Sequence, residues 1–223
     1  MAHPLQAARD ALATLFPVSC AGCGARDTGV CEACRRELRA ACVPEVGMLG
    51  ALPLASAAHY SDRLRLLADA FKERGRVDVA RVLAPLLRAS LLALLRSLPE
   101  RPAETVLVAV PSRRSARAAR GFDHVQLLLE RAVGQPGIAG LAHIRRVRDQ
   151  AALSREQRAE NLDGALRARP ALRGANCIVV DDFSTTGSTL LEAQRALEAA
   201  GAKVLGAAVV ARVIKHNITS ANS

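Results

Sequence analysis

The sequence predicts an α/β fold with a mainly parallel sheet flanked by helices, and three observations carry that expectation. Apolar runs of strand length, Thr105–Val110, Cys177–Val180 and Lys203–Ala211, recur along the second half of the chain. Stretches with apolar residues at helical spacing lie between them. Strands alternating with helices specify layers packed on a parallel sheet.

Taken in order, residues 1–43 read as an N-terminal helix followed by a small cysteine module. Leu5, Ala8, Leu12 and Leu15 share the helix face. Residues 44–58, with Pro44, Gly47, Gly50 and Pro53, read as a linker or an edge strand. The main α/β domain is expected over 59–214. Leu64, Leu67, Ala68 and Phe71 form one helical stripe ended by Gly75, and Val79, Val82, Leu83, Leu86 and Leu87 open a second helix running to about Leu98. Pro111 stops the strand Thr105–Val110. A helix over Asp123–Val133 and a weak strand near Ile138–Ile144 follow. The Arg-rich stretch from Arg145 to Arg173 lacks apolar periodicity and reads as a long mobile loop with a helical piece. Helix Ser188–Ala200, closed by Gly201, then leads into the last strand, and 215–223 form a loose tail.

Half of the 223 residues are apolar, enough for a real core. With no Trp, one Tyr and four Phe, that core is built of Ala, Leu and Val. The same scarcity weakens any mechanism in which bases stack on aromatic platforms. The formal charge of +10 favours anionic partners, nucleic acid or phosphorylated small molecules, without choosing between them. A solvated basic surface is the plainer alternative. Arg9 and Asp10 interrupt any signal-peptide core, and Leu91–Leu95 is far short of the ~20 apolar residues of a membrane span. A cytoplasmic chain with no membrane span is therefore expected, and clustered cysteines there bind metal more often than they pair.

Cys20-x-x-Cys23 and Cys31-x-x-Cys34 give two knuckles separated by seven residues, with Gly22 and Gly24 easing the first turn. Four thiolates around Zn²⁺ make a closed structural site, although the loop is shorter than in most zinc fingers. Reduced free thiols or a redox pair are the alternatives. Cys42 and Cys177 stand apart, and Cys177 reads as a small core residue on its strand.

The most informative run is Cys177 to Leu190. A buried strand ends in Asp181 and Asp182, and Ser184, Thr185, Thr186, Gly187, Ser188 and Thr189 then open a helix. Ligands of open α/β sheets bind beyond the carboxyl ends of the strands. A helix start presents unpaired N–H groups to an anion, the hydroxyls add donors, and glycine admits close approach. The two acids can accept hydrogen bonds from a vicinal diol. Phosphate cradle plus diol-binding acids describe a ribose 5-phosphate. A P-loop and a dinucleotide fingerprint are both absent from the sequence. Helix capping alone needs one such residue, not seven in nine positions.

Asp181 through Thr189 resembles the phosphoribosyl-pyrophosphate signature of type I phosphoribosyltransferases. The wider chain resembles the ComF (competence protein F) branch of that superfamily. The matches are the cysteine cluster; Ala70-Phe71-Lys72 with Gly75; Val110-Pro111 with Arg120-Gly121-Phe122; Arg146, Arg148 and Gln150; Leu153-Ser154; and Arg158 with Asn161-Leu162. The resemblance implies a type I phosphoribosyltransferase-like fold preceded by a zinc-knuckle module. It implies that Asp181 and Asp182 meet the ribose hydroxyls of 5-phosphoribosyl-1-pyrophosphate (PRPP) or a nucleotide, and that the hydroxyl turn meets its 5-phosphate. The loop after Val110 would face the pyrophosphate, carried with Mg²⁺, and Lys72, Arg148 and Arg158 would clamp it. It further implies either transfer of ribose phosphate to or from a nitrogen nucleophile or an auxiliary role in DNA uptake with single-stranded DNA as partner. A homodimer is compatible with either. The family more often has Asn-Gln where this chain has Asp123-His124, Pro-Val-Pro where it has Ala109-Val110-Pro111, and Val or Ile at Phe183. His124 reads as a helix-start or surface histidine.

Overall fold

The computed structural model describes residues 18–26, 28–100, 102, 104–112, 118, 121–144 and 164–213. The helix expected before the cysteines, the stretch holding Arg148 and Arg158, and the tail from 215 lie outside them.

The described helices are α1 (Glu32–Ala40), α2 (Asp62–Lys72), α3 (Ala80–Ser97), α4 (His124–Val133) and α5 (Ser188–Ala199). The strands are β1 (Glu45–Leu49), β2 (Leu52–His59), β3 (Val106–Ala109), β4 (Leu141–His143), β5 (Leu166–Ala168), β6 (Asn176–Val180), β7 (Phe183–Ser184) and β8 (Lys203–Arg212). The main sheet runs β1-β2-β8-β6-β3, with β7 added beside β8. All of its pairings are parallel except the β1–β2 hairpin. β4 and β5 form a separate antiparallel pair.

The register explains why the strand sequences are continuously apolar. Val108, Val179, Ala207 and Leu54 make one row across the sheet and pack towards Leu190, Ala193 and Leu197 of α5. The next row, Ala109, Val180, Ala208 and Ala55, packs on the other face among Leu67, Phe71, Leu83 and Leu129 of α2, α3 and α4. Both faces are buried, so alternation is lost.

Residues 44–58, read as a linker or an edge strand, form a hairpin whose two halves differ. β1 is the edge; β2 lies between β1 and β8, and its Ala55 and Ala57 have no exposed surface. Its Ala-rich run has little intrinsic strand preference, so burial makes the strand. The end of the stretch read as a loop to Arg173 is likewise structured: β5, then a 3₁₀ turn at Pro170–Leu172. Three residues are too few to show a period. β5 is held from outside, its Leu166 N–H donating to Glu192 Oε1 on α5 at 2.8 Å and its Leu166 carbonyl accepting from Arg195 at 3.1 Å.

Among the described residues no helix is long and apolar enough to cross a membrane. Helix α3 approaches the sheet closely at Gly206 of β8. A Cβ there would lie 2.8 Å from Leu94 Cδ1 and 2.9 Å from the Pro53 carbonyl oxygen. Gly206→Ala should destabilise the fold by about 1–3 kcal/mol in denaturant unfolding, as overpacking does. A loss within ~0.5 kcal/mol, the range of an uninvolved surface position, would show that α3 can move away freely.

Candidate functional site

The signature turn is anchored before any ligand is considered. Val110 N–H donates to the Val180 carbonyl at 2.9 Å, Asp181 N–H to Ala208 at 3.2 Å, and Val210 N–H to the Asp182 carbonyl at 2.8 Å. These bonds continue the sheet past the end of β6 and fix both acids at its carboxyl edge.

The two acids then part company. Asp182 is 1% exposed. Its Oδ1 lies 2.9 Å from Lys72 Nζ and accepts the Phe183 N–H at 2.6 Å, while its Oδ2 lies 3.0 Å from His124 Nε2. Asp181 is half-buried, and its Oδ1 accepts the Asp182 N–H at 2.9 Å. Lys72, the last residue of α2, also lies 5.4 Å from the centre of the Phe183 ring, which stands edge-on to Tyr60 at 5.7 Å. His124 opens α4 after its N-cap Asp123, and its Nδ1 is 2.8 Å from Ser112 Oγ. His143 Nε2 is 3.1 Å from the Pro111 carbonyl, bracing the same loop.

Electrostatics follow from this geometry. Burial alone would raise Asp182, but Lys72 and His124 outweigh it and hold its carboxyl well below the usual carboxylate range. Burial and the neighbouring charge of Asp182 push Asp181 up to about 7, against the opposing pull of Lys72 and His124. Burial would lower Lys72, yet Asp182 and Asp181 raise it. Thus Asp182 is a fixed anion and Asp181 is easily protonated. His124, Asp181 and Asp182 also present ligand atoms within 4.8 Å of one another. Asp182, however, already has the Lys72 ammonium on one oxygen and His124 Nε2 against the other.

The hydroxyl turn comes next. Ser184 is buried in β7, Thr185 is exposed, and Thr186, Ser188 and Thr189 are partly exposed. Thr186 Oγ1 lies 3.0 Å from Ser188 Oγ and accepts the Ser188 N–H at 3.4 Å. Gly187 stands at the N-cap of α5 with φ +79°, so no side chain caps from that position. A Cβ there would come within 2.4 Å of Leu49 Cδ2 as well as being strained. Lys72 and Asp181 through Thr189 are therefore gathered at one end of the sheet. Arg148 and Arg158 lie outside the described residues. Sequence reading missed His124, which is a helix-start residue but buried rather than on the surface. Its only sequence signal was the departure from Gln at that position.

The cysteines form a second constellation. Their four sulfurs lie within 4.8 Å of one another, with Cys20–Cys34 at 3.8 Å and Cys23–Cys31 at 3.6 Å. A tetrahedron with Zn–S bonds of about 2.3 Å places sulfurs about 3.8 Å apart, so the donor set fits the ion. The N–H groups of Cys31 and Cys34 point at the sulfurs of Cys20 and Cys31, at 3.3 and 3.5 Å. Burial opposes ionisation of Cys20, but the backbone N–H groups of Cys31 and Cys23 bring it down to about 6; burial and the neighbouring sulfurs raise Cys34. Four crowded thiolates repel, and a dication relieves that repulsion. The knuckle packs on the main domain: Arg63 donates to the Gly22 carbonyl, and Arg76, paired with Asp78 at 2.8 Å, donates to the Ser19 and Gly29 carbonyls at 3.1 and 3.0 Å.

A mainly parallel sheet with an acid pair and a hydroxyl-rich helix start at its carboxyl edge defines an α/β protein of phosphoribosyltransferase type. The family model described as phosphoribosyl transferase domain matches residues 103–219, more than half of the chain. A DNA utilization protein YhgH of Salmonella typhimurium (strain LT2) is 32% identical over 202 residues, covering 78% of this chain and 86% of that protein. A DNA utilization protein YhgH of Escherichia coli O157:H7 is 31% identical over 157 residues, 67% of each chain. The chain belongs to the ComF branch of the phosphoribosyltransferase superfamily.

Two outcomes follow. Asp181 has a folded pKa above its unfolded value, so its contribution to stability is full at low pH and is lost as pH rises through about 7. Asp181→Asn removes that loss, and its thermal midpoint relative to wild type should rise between pH 5 and pH 8; a pH-independent difference would refute the assignment. Metal analysis of the purified chain should find one zinc per molecule, falling to near none in Cys34→Ser, with a lower thermal midpoint. Retention of zinc by that variant would remove the cysteines from the site.

Proposed function

We propose that the chain binds 5-phosphoribosyl-1-pyrophosphate and serves as a phosphoribosyltransferase, moving ribose phosphate to or from a nitrogen nucleophile. The observation that carries the reading is the placement of a half-buried acid, Asp181, beside a hydroxyl turn that starts α5 with a glycine at the N-cap. In this reading Thr185, Thr186, Ser188 and Thr189, with the first N–H groups of α5, hold the 5-phosphate. Asp181 accepts from a ribose hydroxyl. Asp182, enclosed by Lys72, His124 and the Phe183 N–H, acts as an internal anchor for the turn.

In the transfer, the bond from the ribosyl carbon to the pyrophosphate oxygen breaks as the bond to nitrogen forms, and the nucleophile loses its proton. Positive charge on the ribosyl carbon and negative charge on pyrophosphate rise together. The Pro111–Ser112 loop faces the leaving group, and Arg148 and Arg158 are carried over from the sequence as its cationic clamp. Lys72 lies on the ribose side, against Asp182. Mg²⁺ carried with the pyrophosphate would supply charge neutralisation there, and Asp181 is the acid of the pair left facing the ligand. Zn²⁺ at Cys20, Cys23, Cys31 and Cys34 is structural. The protein acts in the cytoplasm.

The charge of +10 and relatives named for DNA utilization favour a second reading, an auxiliary module for single-stranded DNA with the same site acting as a ribosyl-ligand sensor. Calorimetric titration with PRPP and Mg²⁺ tests the first. Binding should be weakened about 10- to 100-fold by Asp181→Ala, the loss expected for one charge-assisted hydrogen bond. No binding by wild type, or undiminished binding by that variant, overturns it. Steeply salt-dependent binding of single-stranded DNA without turnover of PRPP favours the module.

A further inference from the structure

His124 touches both sides of the proposed site. Its Nε2 faces the Asp182 carboxylate at 3.0 Å, and its Nδ1 faces Ser112 Oγ at 2.8 Å. A carboxylate only accepts, so a proton on Nε2 suits Asp182, and Nδ1 and the Ser112 hydroxyl share the second contact. Both contacts are made at once by one planar ring. The ring itself has little freedom: its side chain is 11% exposed, Phe71 stands edge-on at 6.1 Å, and Asp123 caps the helix that carries it, accepting the Val125 and Gln126 N–H groups at 3.2 and 3.3 Å.

What the ring joins matters more than that it is buried. Ser112 belongs to the loop after β3, and Asp182 to the turn after β6. The strands beneath are paired up to Ala109 and Val180, and Val110 N–H adds one more bond to the Val180 carbonyl. Among the described residues no backbone bond joins the two segments beyond that point: Asp181 and Asp182 bond on to β8 instead, away from Ser112. His124 spans the gap between them, and the ligand proposed above would lie across both segments.

We propose that His124 is a positioning residue that fixes the pyrophosphate-facing loop relative to the ribose-facing turn, and so governs binding of the whole ligand more than of either half. This rests on the function proposed above. A ligand held at two ends gains affinity from the fixed separation of its two half-sites, and loosening that separation costs the whole ligand while leaving each half nearly untouched. Gln supplies an N–H donor and a carbonyl acceptor on one planar group, the same pair of roles as the neutral imidazole.

The test uses three probes with Mg²⁺ present: PRPP, ribose 5-phosphate and inorganic pyrophosphate. His124→Ala should weaken PRPP about 10-fold or more, while each half-ligand changes by less than about 3-fold. His124→Gln should restore most of the loss. Equal weakening of whole and halves, or no rescue by Gln in a folded variant, overturns the positioning role. If wild type binds PRPP and the ratio of whole to half affinities is unchanged in His124→Ala, the function stands and this inference falls; if wild type binds none of the probes, the function itself falls. A ligand-free measurement decides the bridge even where His124→Ala does not fold. In the wild-type background, Ser112→Ala should shift the imidazole nitrogen resonances of His124 and the amide resonance of Asp182. Unchanged resonances would mean that Ser112 and His124 do not share a bond.

Discussion

The burial of one carboxylate organises this end of the molecule. Asp182 is taken out of water at the edge of the sheet, and a bare charge there would cost several kcal/mol. Lys72 from α2, His124 from α4 and the Phe183 N–H from the turn itself share the compensation. Because the three donors come from separated parts of the chain, satisfying Asp182 requires α2, α4 and the signature turn to arrive together. The same enclosure leaves Asp181 as the acid with an unsettled charge.

The scarcity of large aromatic side chains has its counterpart in how closely the layers approach. With Ala at 55 and 208 on the face that α3 covers, α3 comes near enough for the Ser90 hydroxyl to donate to the Val209 carbonyl at 2.6 Å, and for Gly206 to lie against Leu94. The aromatics among the described residues are concentrated near the site instead: Tyr60 with Phe183, and Phe71 with Phe122 and His124. There they wall the buried ions with apolar surface, which strengthens each charge–charge contact.

The parts of this arrangement legible in the sequence were those written in a single stretch. Cys177 to Val180 announced a strand buried on both faces, the Asp181–Thr189 run announced a polar turn before a helix, and the paired Cys-x-x-Cys knuckles announced a cluster. Periodicity placed α2, α3, α4 and α5 to within a residue or two. What stayed hidden depended on partners distant in sequence. β2 has no β-branched residue, and only its place between β1 and β8 makes it a strand. β5 spans three residues held by Glu192 and Arg195. Nothing in the dipeptide Asp181-Asp182 distinguishes its two acids; the difference is made by Lys72 and His124, 110 and 58 positions away along the chain.

The contact of Leu49 with Gly187, with Lys72 reaching Asp182, bears on where this molecule can be cut. The matched family segment begins at residue 103, yet the hairpin that backs the hydroxyl turn, the strand beside β8 and the cation on Asp182 all precede it. A segment excised at that boundary would keep the hydroxyls and lose both the wall behind them and the counter-charge beneath them. The unit that the family model delimits is therefore smaller than the unit that can hold the site together, and grafting or dissecting it calls for the knuckle, hairpin and first two domain helices to travel with the signature.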